Sequence, residues 1–180
     1  MDIKPKVILK QKGDSTEIAQ KLTRIQVQMT WTKGVDLDLH AFYRTKTGKT
    51  GQIYFADKGN AERFPFISLD KDAGVGNTSG KNEENLVITS LEQMDLILIA
   101  TNIFRFFGFL SKGENFARYD GKVSLKTDAS DHIEVPLTSN EIGKWCVIAA
   151  IDNSNPASPK VININRVQKS EPDLATFQLN

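Results

Sequence analysis

Cysteine is almost absent from this chain of 180 residues, Cys146 being the only one. A single thiol forms no internal disulfide, so packing alone must hold the fold, and nothing points to an oxidising compartment. Imidazole is scarce as well, with His40 and His132 the only two histidines. A catalytic thiol would need one of them as its base, and Cys146, inside the apolar run Trp145–Ile151, reads instead as a small buried hydrophobe. Charge of one sign is missing too: 23 Lys and Arg face 22 Asp and Glu, for a formal net charge of +1. That balance creates no long-range attraction to nucleic acid or to an anionic membrane, so any binding must come from local clusters.

Long apolar runs are also lacking. Leu96–Ala100 and Trp145–Ile151 fall far short of the roughly 20 residues that cross a bilayer. The start, Met1-Asp2-Ile3-Lys4-Pro5-Lys6, carries no apolar core of a secretory signal. The expectation is a cytoplasmic protein with no integral membrane association, long enough to bury a core in one domain. Long amphipathic helices are not evident; Glu17–Leu22 and Ile103–Leu110 each have room for one short turn of helix.

What is present is alternation with a period of two, the mark of strands with one buried face. Ile25, Val27, Met29 and Trp31 alternate with Arg24, Gln26, Gln28 and Thr30; Leu37, Leu39 and Ala41 alternate with Asp36, Asp38, His40 and Phe42. Further strands are expected near Ile53–Phe55, Phe66–Leu69, Leu86–Ile88, Phe116–Tyr119, Lys122–Lys126, His132–Leu137, Lys144–Ile151 and Val161–Val167. Leu96–Thr101, apolar on both faces, reads as a central strand. Turn residues separate these segments, as at Thr47-Gly48-Lys49, Asp57-Lys58-Gly59-Asn60 and Asp152-Asn153-Ser154-Asn155-Pro156. About ten short strands with few short helices predict an all-β fold, a β-sandwich of two antiparallel sheets. The domain is expected to span residues 1–168, with 169–180 an extended arm or tail.

Two acidic clusters carry the chemistry. In Val35-Asp36-Leu37-Asp38-Leu39 both carboxylates emerge on one side of a strand while the apolar residues face the core. Two like charges held close repel, and a cation between them would remove the cost. The second cluster runs from Asp70 to Glu84 and contains Asp72, Gly74, Gly76, Asn77, Asn82 and Glu83. Its glycines free the backbone to turn carbonyls inward, and its carboxylates and amides match the hard oxygen donors that calcium takes. It is not an EF-hand: counting from Asp70, position 12 is Lys81 and position 6 is Val75. Solvated surface is the plain alternative for both clusters.

Other motifs are weaker. His40 shares a face with Asp36 and Asp38, yet three alternate residues of one strand spread over about 13 Å, too far to grip one zinc or iron. His132 beside Asp131 and Ser130 has the composition of a hydrolytic triad without its geometry or a nucleophile elbow. Phe104–Leu110, dense in aromatics with one arginine, reads as packing or a protein-contact patch, and nucleic acid is not expected as a partner. No nucleophile–base pair, phosphate loop or cofactor fingerprint stands out, so the expectation is not an enzyme.

Taken together, Ile25–Trp31, the Asp36-Leu37-Asp38 segment with Phe42, Tyr54-Phe55, the loop Asp72–Glu84 leading into Leu86-Val87-Ile88, and Gly113-Glu114-Asn115-Phe116 with the strand after it resemble the TerD-type tellurium-resistance family. The likeness runs from about Val7 to Ile151. It implies a β-sandwich holding calcium at one end, a role in tellurium resistance and general stress response, and contacts with other proteins of a stress or resistance complex or a homo-oligomer. By that resemblance the ligands are Asp36 and Asp38 on the strand, Asp72 opening the loop, and Glu83 and Glu84 closing it, with Asp70, Gly74, Gly76 and Asn82 as further donors. Where the family alternates Asp and Gly, this chain has Ser79-Gly80-Lys81-Asn82. Fewer charged ligands imply weaker calcium binding than the family's, at one ion or two. The competing expectation is a calcium-independent scaffold working through Phe104–Leu110 and the C-terminal arm. A membrane-docking calcium module is disfavoured, because Val75 is the one large apolar residue in the loop.

Overall fold

The computed structural model describes residues 4–70, 81–104 and 115–179. Among them thirteen strands form: β1 (Val7–Ile8), β2 (Ser15–Glu17), β3 (Ile25–Trp31), β4 (Leu37–Thr45), β5 (Thr50–Ile53), β6 (Gly59–Asn60), β7 (Ile67–Leu69), β8 (Asn82–Ile88), β9 (Met94–Ile103), β10 (Lys122–Thr127), β11 (His132–Pro136), β12 (Trp145–Asp152) and β13 (Lys160–Gln168). They make two sheets, a seven-stranded one in the order β1-β11-β10-β3-β8-β7-β6 and a six-stranded one in the order β2-β13-β12-β9-β4-β5. Among the described residues no helix is long and apolar enough to cross a membrane.

Alternation sets which side chains enter the space between the sheets. From β3 these are Ile25, Val27, Met29 and Trp31; from β4 they are Leu37, Leu39, Ala41 and Tyr43; from β8, Leu86 and Ile88. β9 is central, between β12 and β4, and its Leu96–Ala100 run is fully buried because both of its faces are covered. β12 keeps its phase through a register shift between Val147 and Ala149. The extra residue of this bulge lets Cys146, Ile148 and Ile151 face the inter-sheet core while Val147 and Ala150 face out.

Three details depart from the pattern read in the sequence. The β1–β11 pair is parallel, with Val7 opposite Ile133, so the sheets are not antiparallel throughout. Ser15–Glu17 extends an edge of the six-stranded sheet against β13, where a helical turn over 17–22 was the expectation. Phe116–Tyr119, expected as a strand, is a turn of 3₁₀ helix ended by Asp120 at φ 54. Its two buried residues, Phe116 and Tyr119, are three apart, a spacing that suits a three-residue turn and not a two-residue repeat. The helical turn expected at Ile103–Leu110 begins on a residue that ends β9, and Arg105–Leu110 lie outside the described residues.

The outer faces of the two sheets differ. That of the six-stranded sheet is apolar, with Phe42, Leu96, Leu98, Trp145 and Val147, and the C-terminal segment lies over it through Leu174 and Phe177. Two arginines fasten this segment: Arg44 Nη1 donates to the Leu174 carbonyl at 3.3 Å, and Arg166 Nη2 donates to the Gln178 carbonyl at 3.0 Å. The Arg166 guanidinium also sits 4.4 Å from the centre of the Phe177 ring. Replacing Phe177 by Ala opens this second core, and a loss of about 3 kcal/mol is expected in urea unfolding. An unchanged midpoint would mean that the segment is not docked in solution.

Candidate metal centre

Asp36, Asp38, Glu83 and Glu84 lie at or near the β3–β4 connection and the start of β8. Trp31 sets the local geometry: its indole Nε1 donates to the Val35 carbonyl at 2.8 Å. That bond, with Val35 N–H donating to the Lys33 carbonyl at 2.8 Å, folds Thr32–Gly34 tightly and delivers Asp36 to the start of β4. Phe104 N–H then donates to the Asp36 carbonyl at 2.9 Å.

β4 has a gap on one side. It pairs with β9 from Leu37 to Thr45, but β5 covers only Ala41–Arg44. Leu39 therefore has a backbone N–H at an uncovered edge, and a buried N–H must find an acceptor. Glu84 supplies it from the other sheet: its Oε2 accepts from Leu39 N–H at 2.5 Å. This is a charge-assisted bond across 45 residues of sequence. This bond joins β4 to the start of β8 across the two sheets.

The convergence is partial. Glu84 and Asn82 are on the side of β8 that carries Leu86 and Ile88 into the core. Asn82 is buried and its Nδ2 donates to the Trp31 carbonyl at 3.5 Å. Glu83 points the other way, as a strand's period of two requires, with Gln28 Nε2 3.4 Å and Lys81 Nζ 3.8 Å from its Oε2. Asp70 also lies apart, lining a hollow on the outer face of the seven-stranded sheet with Ser68 and Asn85. Asp36 and Asp38 alternate with the inward Leu37 and Leu39 and flank the edge that Glu84 reaches. Asp72, Gly74 and Gly76 lie outside the described residues. Among the described residues no three His, Cys, Asp or Glu side chains group to hold a metal ion. Asp36, Asp38, Asn82 and Glu84 are all hard oxygen donors, so their chemistry fits calcium, and four such residues would supply only part of the six to eight oxygens it takes.

His40 is not free to join them. Its Nε2 lies 3.2 Å from Asn102 Oδ1 and its Nδ1 lies 3.1 Å from Gln52 Nε2. With Nε2 carrying the hydrogen and Nδ1 accepting, the neutral ring satisfies both amides. It is 3% exposed, 4.7 Å from the centre of the Trp145 ring and stacked with Phe42 and Tyr54. Burial lowers its pKa from 6.5 to about 4, against a smaller raising effect of the Asn102 bond. Neither amide partner had a signal in the sequence, since Gln52 and Asn102 belong to different strands.

The remaining chemistry-bearing groups are equally occupied. Cys146 is fully buried, and desolvation pushes its thiol pKa up. Asp131 does not face His132: it accepts from Lys4 Nζ at 2.6 Å, Thr127 Oγ1 at 2.8 Å and Ala19 N–H at 3.3 Å. His132 pairs with Ser124 Oγ at 3.1 Å, not with Ser130.

The His40 shift carries a sign. As pH falls, the unfolded imidazole takes up its proton near 6.5 while the folded one stays neutral to about 4. Stability is therefore full above pH 6.5 and declines towards pH 4, by up to about 3 kcal/mol. Chemical denaturation at pH 7 and pH 4.5 measures it, and in His40→Gln this part of the decline is expected to vanish. An equal decline in the variant would assign the effect to other groups.

No family model matches the sequence, and no curated protein matches it. Among solved structures, the protein SAV2460, described as of unknown function, superposes with a TM-score of 0.61 at 12% identity, over 84% of this chain and 92% of that one. A homologue of the telluride resistance protein TerD, SCO6318 from Streptomyces coelicolor A3(2), superposes with a TM-score of 0.57 at 13% identity, over 84% and 94%. At such identities the likeness is one of fold, and the fold this chain shares is that of a TerD homologue.

Proposed function

We propose that the chain is a calcium-binding, non-enzymatic module of the tellurium-resistance and general stress-response type, acting in the cytoplasm by binding. The observation that supports this reading best is the bond between Glu84 and the Leu39 backbone. It brings the loop-closing carboxylate of one sheet to the Asp36–Asp38 edge of the other. The fold shared with a TerD homologue points in the same direction.

In this reading Asp36, Asp38 and Glu84 supply carboxylates, Asn82 a neutral oxygen, and Asp72, Gly74 and Gly76 the donors of the connecting loop. Glu83 and Asp70 face the outer side of the seven-stranded sheet and are left out of the set. The ion would neutralise carboxylates crowded at one end, tying the two sheets together there. Contacts with other proteins of a stress or resistance complex would then depend on the ordered end. The scaffold alternative loses part of its working surface, because Leu174 and Phe177 of the C-terminal arm are buried against the chain's own sheet. It keeps Phe104, which is 46% exposed.

A ligand that binds only the folded state stabilises it by mass action, about 2.7 kcal/mol at a hundredfold excess over Kd. Millimolar calcium is therefore expected to raise the melting temperature by several degrees, magnesium by much less, and Glu84→Gln or Asp38→Asn to abolish the rise. A flat response of the native chain up to 5 mM calcium, roughly a hundred times a typical weak-sensor Kd, would falsify this reading.

A further inference from the structure

Among the described residues no segment covers the outer face of the seven-stranded sheet, which is polar, in contrast to the apolar, strapped face of the other sheet. Cross-strand register arranges it in rows. Ser68, Val87, Gln26, Lys126 and His132 lie side by side across β7, β8, β3, β10 and β11. The next row continues Asn85, Gln28, Ser124 and Glu134. Two hollows of about 600 and about 640 Å³ lie on this face. They share Gln28, Ser124 and Lys126, so they form one continuous trough.

Its charges are unevenly matched. In the second hollow Lys122 is paired with Glu134 at 3.1 Å, a carboxylate that Lys6 also reaches at 3.3 Å. In the first hollow stand three cations, Arg24, Lys58 and Lys126, against one carboxylate, Asp70. None of these three cations makes an ion pair among the described residues. Between them are amides and hydroxyls, and no aromatic ring lines this hollow among the described residues. A nucleobase or the flat face of a sugar would have nothing to stack on. Of its apolar lining, Val27, Leu69 and Leu86 are buried in the core, and none of the exposed large apolar residues among those described lines it for insertion into lipid. What the site offers is positive charge and short, fixed hydrogen-bonding groups, as a nearly neutral chain must do through a local cluster.

We propose that this trough binds a small, soluble, multiply phosphorylated polyol. Arg24, Lys58 and Lys126 hold its phosphates, and Gln26, Gln28 and Ser124 bond its hydroxyls. Lys126, Gln26, Gln28 and Ser124 project from paired strands, and Arg24 and Lys58 stand just before β3 and β6. The site is separate from the proposed calcium end, because Glu84 faces the opposite side of β8; among the described residues Asp70 and Lys81 belong to both the acidic stretch and the trough.

The test is titration of the full chain with myo-inositol hexakisphosphate, and separately with inorganic tripolyphosphate, in dilute salt stripped of divalent ions. Amide resonances of residues 24–28, 85–87 and 122–126 are expected to shift with a saturable, micromolar-range response to the inositol phosphate, and a weaker one to tripolyphosphate. Arg24→Ala and Lys126→Ala are each expected to weaken binding about tenfold, the loss of a charged hydrogen bond. Lys49→Ala, on the other sheet, leaves it unchanged. All these positions are solvent-facing, and an unaltered melting curve for each variant shows that it is folded. Three results would overturn the proposal: no saturable shift, shifts scattered over lysines outside the trough, or equal affinity in Lys126→Ala. Capture by vesicles containing phosphatidylinositol bisphosphate without response to the free phosphates would equally contradict it.

Discussion

A single unpaired stretch of strand edge organises this molecule's candidate site. Because β5 is short, the first residues of β4 lack a neighbour on one side, and the Leu39 N–H would be left without a partner in a desolvated place. Glu84 satisfies it from the opposite sheet. A carboxylate in that position closes the open end of the sandwich as a strand neighbour would, but it brings a negative charge. That charge reaches the strand that carries Asp36 and Asp38, and in the proposed reading these carboxylates would give a divalent ion its reason to bind. The clamp between Trp31 and Val35 keeps the connection short enough for the two regions to meet.

The two sheets treat their outer faces in opposite ways, and this difference divides the molecule by role. One face is apolar, and the chain covers it with its own last residues under two arginines, which makes the C-terminal segment part of the fold. The other is hydroxyl, amide and lysine, and among the described residues it is open as a trough. A sandwich with one sealed and one open face presents its chemistry asymmetrically: an acidic end and a basic-to-neutral side.

Much of this was legible in residue order. The period of two in Ile25–Trp31 and Leu37–Ala41 gave the strand faces directly, since one buried side fixes register. The run Leu96–Ala100 announced the central strand because only a strand covered twice is apolar on both sides. The Phe116–Tyr119 turn was misread as a strand because four residues hold too little periodicity to separate two from three. Sheet partners were not legible, and this decided most about the site. Glu83 and Glu84 look like one acidic pair in the sequence, but adjacent strand residues face opposite ways, so only Glu84 reaches β4. His40 shares a strand face with the aspartates but is too far along it to join them, and its actual partners, Gln52 and Asn102, come from β5 and β9. The trough was invisible for the same reason: Gln26, Ser68 and Lys126 are far apart along the chain and adjacent only through pairing.

The central claim is that the Glu84–Leu39 junction is the cation end of the molecule. A crystal structure of the chain grown with calcium, with anomalous scattering to identify the ion, tests it most directly. The account places calcium within about 2.6 Å of a Glu84 oxygen and of an oxygen from Asp36 or Asp38. Calcium bound instead at Glu83 and Asp70 on the outer face, or absent from the Glu84 end at saturating concentration, would contradict it.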